Sequence, residues 1–189
     1  MSDQLRELVQ EYRGGKLSRR GFVARALGVA AMALLAACAA RSGDGATGGD
    51  RMAASNVEFT GKGGRLAGYL ARPAAGQNPA VVIIHANQGL NDYTRDVARR
   101  LAREGYVALA VDFLSRHGGT VAVNPKGEGL SNIRELAPWQ QVAEDSTAAF
   151  DYLKTQPFVR GDRLGLMGFC WGGEMTFSSA TEVRRLSAV

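Results

Sequence analysis

The sequence predicts an α/β fold built on a doubly wound, mostly parallel sheet, and two observations carry the prediction. Three apolar runs, "AVVIIHA" (80–86), "YVALAVDF" (106–113) and "RLGLMGF" (163–169), are continuous rather than alternating. That is the pattern of strands covered on both faces. The segments between them carry helical spacing, so the order is β-α-β-α-β with short links, which closes only with right-handed crossovers.

The elements follow in order. Val57 to Thr60 and Leu66 to Ala71 flank "GKGG", a hairpin signal that adds antiparallel strands ahead of the parallel ones. After the run at 80–86, Asp92 is placed to cap a helix whose Tyr93, Val97 and Leu101 form one stripe and which ends at Gly105. Residues 114–136 are rich in Gly and polar residues and read as irregular. Pro138 stands at the start of a second helix, marked by Trp139, Val142, Ser146, Phe150 and Leu153.

The front of the chain reads differently. "KLSRRGFVARALGVAAMALLAACAA" ends a charged segment in Ser18-Arg19-Arg20-Gly21-Phe22, and an uncharged Ala/Leu run follows from Ala26 to Ala40. Fifteen such residues rise about 22 Å as a helix, short of the roughly 30 Å hydrocarbon core. Residues 1–38 are therefore expected to be an export signal, and the S-R-R-x-F pattern is similar to a twin-arginine leader that engages export machinery. Leu35-Ala36-Ala37-Cys38 resembles a lipobox, with Cys38 as the lipidation site and a membrane anchor as the result; simple cleavage beside the small residues stays open. Residues 39–55, with "RSGDGATGGD", read as a flexible tether, leaving 56–189 as the folded domain.

Composition excludes some classes. The chain has 23 Lys and Arg against 18 acids, but six of those bases and only three of the acids fall in residues 1–38. The remainder is nearly balanced and has no basic cluster interleaved with aromatics, which argues against nucleic acid as a partner. No metal-ligand spacing is present and no cofactor motif is found. Cys170 is the only cysteine beyond the leader, so no intramolecular disulfide and no C-x-x-C redox pair is available to the body.

Cys170 sits in "GFCWGG", directly after a buried run and before a helix-capable segment. That is the context of a G-x-nucleophile-x-G elbow, where Gly168 and Gly172 are needed because a Cβ at either would strike neighbouring backbone. A thiol at a helix N-terminus is favoured as thiolate.

These residues, with "AVVIIHANQGLNDYTRDVARRLAREGYVALAVDFLSR" and "FDYLKTQPFVRGDRLGLMGFCWGG", resemble the dienelactone hydrolase family, the Cys-nucleophile branch of the α/β-hydrolases. The resemblance covers about residues 56–180. It implies a hydrolase acting on a small carboxylic ester or lactone through an acyl-enzyme. Cys170 would be the nucleophile, and the backbone N–H groups of Trp171 and Asn87 the oxyanion donors. Phe113, Phe169 and Trp171 are candidate walls of an apolar pocket, with ordinary core an equal alternative for each.

The chain departs from the family pattern at two points. Ala86 stands where similar enzymes carry a Glu that interacts with the thiol. After Cys170 there is no Asp or His, only Glu174 and Glu182, whereas these hydrolases place acid and base after the nucleophile. Of the two histidines, His85 is expected to shape the oxyanion loop and His117 to be solvated. The sequence is therefore expected to be the N-terminal part of a longer hydrolase. A catalytically inactive, tethered α/β-fold binding protein stays open as the alternative.

Overall fold

The structure, a computed structural model, describes residues 52–180; the expected export signal with Arg19, Arg20 and Cys38, and all of the tether up to residue 51, lie outside the described residues. Five strands form one sheet: β1 (Met52–Gly61), β2 (Gly64–Pro73), β3 (Asn78–Ile84), β4 (Val107–Asp112) and β5 (Val159–Gly168). Their order across the sheet is β1-β2-β4-β3-β5. β1 and β2 pair antiparallel from Met52↔Pro73 to Gly61↔Gly64, leaving a two-residue turn at Lys62-Gly63. β2 runs antiparallel to β4 as well, while β3 pairs parallel with both β4 and β5. Only β2 is therefore reversed, and the other four strands share one direction. β1 begins at Met52, inside the span read as tether, so its register with β2 absorbs residues 52–55 into the sheet.

The two faces of the sheet differ because the strands alternate large and small side chains. On β4, Val107, Leu109 and Val111 join the larger core with Phe150 and Leu153, whereas Ala108 and Ala110 face the other way. The small face receives helix α1 (Asp92–Arg103), whose Ala98 and Ala102 pack against it with Ile83 and Ala71. All six residues of β4 are buried, as expected of a strand covered on both faces.

Two details of α1 differ from the sequence expectation. The N-cap is Asn91, whose side chain accepts from the Thr94 N–H, and Asp92 is the first helical residue. The buried line is Thr94, Ala98 and Ala102; Val97 and Leu101 flank it half-buried, and Tyr93 is exposed. The helix sits close to the alanines of β4, so its own small residues take the contact. Its end is as expected, with Gly105 in the left-handed region at φ 92°.

The stretch 114–136 is not featureless. It holds a 3₁₀ turn (Ser115–His117) and two single helical turns, α2 (Thr120–Val123) and α3 (Ile133–Leu136). Helix α4 (Trp139–Lys154) follows from Pro138 and buries Val142, Ser146, Phe150 and Leu153 as the spacing predicts; Trp139 stays partly exposed. Helix α5 (Trp171–Ala180) leaves the end of β5 after a single intervening turn. Among the described residues no helix is long and apolar enough to cross a membrane.

Candidate active site

The parallel strands β3, β4 and β5 end together at Ile84, Asp112 and Gly168, at the edge of the sheet beyond which α/β folds generally bind ligands. At the end of β5 the chain turns into α5 through Cys170, whose φ is 55°. Among the described residues no other non-glycine residue has a positive φ. Its thiol is exposed and unpaired.

The elbow explains both glycines. A Cβ on Gly168 would fall on the Gly172 carbonyl and lie 2.7 Å from Thr176 Oγ1. A Cβ on Gly172 would fall on the Ile84 carbonyl and lie 2.5 Å from the His85 oxygen, so the turn is wedged against the end of β3. Gly172 N–H donates to Phe169 O at 2.8 Å and Gly173 N–H to Cys170 O at 3.0 Å, which starts α5 immediately after the thiol.

The loop 86–91 continues from the end of β3 against which this turn packs. The Asn87 N–H belongs to this loop and the Trp171 N–H to the first residue of α5. Gly89 N–H closes the loop on Ala86 O at 3.1 Å. Ala86 itself brings no carboxylate to the thiol.

His85 is wholly buried between Phe113 and Trp171: its ring stacks on Trp171 at 5.5 Å and meets Phe113 edge-on at 5.7 Å. Both of its nitrogens are engaged. Nδ1 lies 2.7 Å from Ala86 O and Nε2 accepts from the Phe113 N–H at 3.2 Å, which fixes the neutral Nδ1–H tautomer. Burial holds this imidazole below its ordinary pKa, partly offset by its bond to Ala86 and by the Asp112 charge. His85 is thereby anchored through both ring nitrogens at the start of the loop that follows β3. Phe113 and Trp171 are buried with it as core, the second of the two places expected for them, and half-buried Phe169 meets Tyr93 edge-on at 5.6 Å. His117 is exposed, with Nε2 2.9 Å from Leu136 O.

Four residues of this region escaped the sequence reading. Asp112, Thr120 and Asn124 are buried polar residues, Thr120 and Asn124 bonded to the loop after β3 and Asp112 to Thr120. Arg134, on α3, forms a forked pair with Glu174 on α5, Nη2 to Oε2 at 2.6 Å and Nε to Oε1 at 3.3 Å. The bond to Glu174 chiefly raises the guanidinium's pKa. Thr120, Asn124 and Arg134 lie in a stretch lacking any period, and Asp112 ends a strand read only for its apolar residues. Among the described residues no group of three His, Cys, Asp or Glu is arranged to hold a metal ion.

The sequence profile of the dienelactone hydrolase family matches residues 66–189, from β2 through the elbow. The chain belongs to the dienelactone hydrolase family. Similar family proteins include a Synechocystis protein provisionally named carboxymethylenebutenolidase, 38% identical over 121 residues, which cover 62% of this chain and 49% of that protein. Carboxymethylenebutenolidase of Pseudomonas sp. strain P51 is 33% identical over 125 residues, 64% of this chain and 52% of that one. Among solved structures, a dienelactone hydrolase-like promiscuous phosphotriesterase, P91, from metagenomic libraries superposes with a TM-score of 0.62 at 30% identity, covering 74% of this chain and 59% of that one. This chain thus spans about half the length of the curated relatives it matches.

Proposed function

We propose that the protein hydrolyses a small carboxylic ester or lactone with Cys170 as nucleophile. The observation that carries this reading is the Cys170 backbone: a left-handed L-residue held between two glycines that cannot bear a Cβ, with its thiol exposed at the start of a helix. The thiolate attacks the carbonyl carbon, and the carbonyl π electrons move onto oxygen. The N–H groups of Asn87 and Trp171 stabilise that oxyanion. Its collapse breaks the C–O bond, and the alkoxide leaves with a proton, giving a thioester on Cys170. Water then attacks the thioester, releasing the acid and restoring the thiol.

Proton transfer in both halves needs a relay. The two histidines of this chain are bonded to Ala86, Phe113 and Leu136. That engagement favours the second reading, a non-catalytic binding protein on the same fold. A p-nitrophenyl ester separates the two, because its leaving group needs no proton. Incubated with this chain, it should leave one acyl group on Cys170 by mass spectrometry, absent in Cys170→Ala. No adduct on folded protein would leave the binding reading standing.

We infer from Arg19-Arg20 and the apolar run behind them that the protein is exported through a twin-arginine leader, with Cys38 as the lipid attachment point.

A further inference from the structure

We propose that Thr120 and Asn124 are positioning residues that fix the oxyanion loop; the proposal rests on the reading of Cys170 and Asn87 given above. The loop 87–90 touches the segment 120–130 at successive residues, by hydrogen bonds to its backbone at Asn87, Gln88 and Leu90 and by close packing at Gly89. Leu130 N–H donates to Asn87 O at 3.1 Å. Asn124 Nδ2 donates to Gln88 O at 2.9 Å. Gly89, at φ 86°, lies so close to Thr120 that a Cβ would come within 2.5 Å of Thr120 Cγ2. Leu90 N–H donates to Thr120 Oγ1 at 2.8 Å.

Both side chains are locked in turn. Thr120 Oγ1 donates its one proton to Asp112 Oδ1 at 2.8 Å, so the lone pair facing Leu90 has its direction set by the end of β4. The Thr120 backbone N–H donates to Asp112 Oδ2 at 2.8 Å, and Leu114 N–H to Oδ1 at 3.1 Å. Asn124 binds Glu128 in both directions, Nδ2 to its carbonyl at 2.6 Å and Oδ1 from its N–H at 3.1 Å. Both Thr120 and Asn124 are buried. A chain of bonded groups thus runs from the strand end at Asp112 through Thr120 to the loop that carries the Asn87 N–H. Oxyanion donors work only at about 2.7–3.1 Å from the developing charge, so a shift of this loop is felt directly in the transition state.

The test compares two reactions of the same thiol in the full chain. Acylation by p-nitrophenyl acetate passes through an oxyanion. Alkylation by iodoacetamide forms the S–C bond as iodide leaves and involves none. Thr120→Val keeps the shape but can neither accept from Leu90 nor donate to Asp112. It should slow acylation on the order of tenfold or more while alkylation stays within about twofold. Thr120→Ser should restore most of the acylation rate, and Asn124→Ala should reproduce the selective loss, which keeps the test alive if Thr120→Val does not fold. Equal acylation in wild type and variants, or acylation and alkylation falling together, would overturn the proposal. A wild-type chain that takes no acyl group would remove the reading of Cys170 itself and this proposal with it.

Discussion

The Arg116 guanidinium meets Asp145 of α4 with Nη2 2.6 Å from Oδ1, and Asp145 is wholly buried. The arginine comes from the turn after β4 and passes beneath Gly63, where a Cβ would fall on its guanidinium. The pair thereby ties the hairpin end, β4 and α4 together. Arg116→Met should cost about 3 kcal/mol or more, because it strands a buried carboxylate. The double variant with Asp145→Asn should recover much of that loss in urea melts. Burial chiefly raises the Asp145 carboxyl above its ordinary value, and Arg116 opposes that rise. A raised carboxyl binds its proton more readily in the folded state, so the deficit of Arg116→Met should shrink as pH falls. A deficit unchanged between pH 7 and 5 would mean the carboxylate is not stranded.

Three glycines within six residues should behave differently. Gly168→Ala and Gly172→Ala drive a methyl into backbone carbonyls that cannot move aside, and each should cost several kcal/mol or prevent folding. At Gly173 a Cβ would find Gly168 O at 3.5 Å, an ordinary contact, inside a helix. Gly173→Ala should therefore be neutral or stabilising by up to about 1 kcal/mol. Comparable denaturant midpoints for all three would contradict the elbow geometry.

His85 should give the fold an acid limit. Its pKa is lowered by burial, so the unfolded chain binds the proton first as pH falls through the ordinary value near 6.5. Stability should then decline below that pH, by up to about 1.4 kcal/mol per unit until the folded form protonates. Asp112 is the charge that faces the ring and limits the decline. Urea midpoints from pH 7 to 5 should fall more steeply for wild type than for His85→Gln. Parallel slopes would assign the acid sensitivity elsewhere.

The leader admits a separate test. Changing Arg19 and Arg20 together to Lys keeps the charge but removes the paired guanidinium groups, and it should retain folded protein in the cytoplasm. Cys38→Ala should then abolish membrane association without blocking export. Fractionation and intact mass measure both; undiminished export of the Lys variant would discard the twin-arginine reading.

The three buried strands and the elbow were legible because their signals are local. A run such as "YVALAVDF" is apolar whatever it packs against, and Gly-x-Cys-x-Gly after such a run leaves few alternatives. Helix α1 was legible as a helix but not in its facing. Asn91 and Asp92 are both competent caps, and only the path of the incoming chain selects Asn91. Its buried line is set by Ala108 and Ala110 on a strand that follows it. Thr120, Asn124 and Arg134 were invisible for the same reason. Their partners are Leu90, Gln88 and Glu174, 30, 36 and 40 positions away, and a polar residue in a Gly-rich stretch announces none of these.

The left-handed backbone at residue 170 sets folding and chemistry against each other at a single position. An L-residue there costs about 1–2 kcal/mol relative to glycine, which enters that region freely. A chain shaped by stability alone would read Gly-Phe-Gly-Trp-Gly. Cys170→Gly should accordingly melt higher than wild type while accepting no acyl group, so the thiol is held at the one point of the turn where the fold would be better off without it.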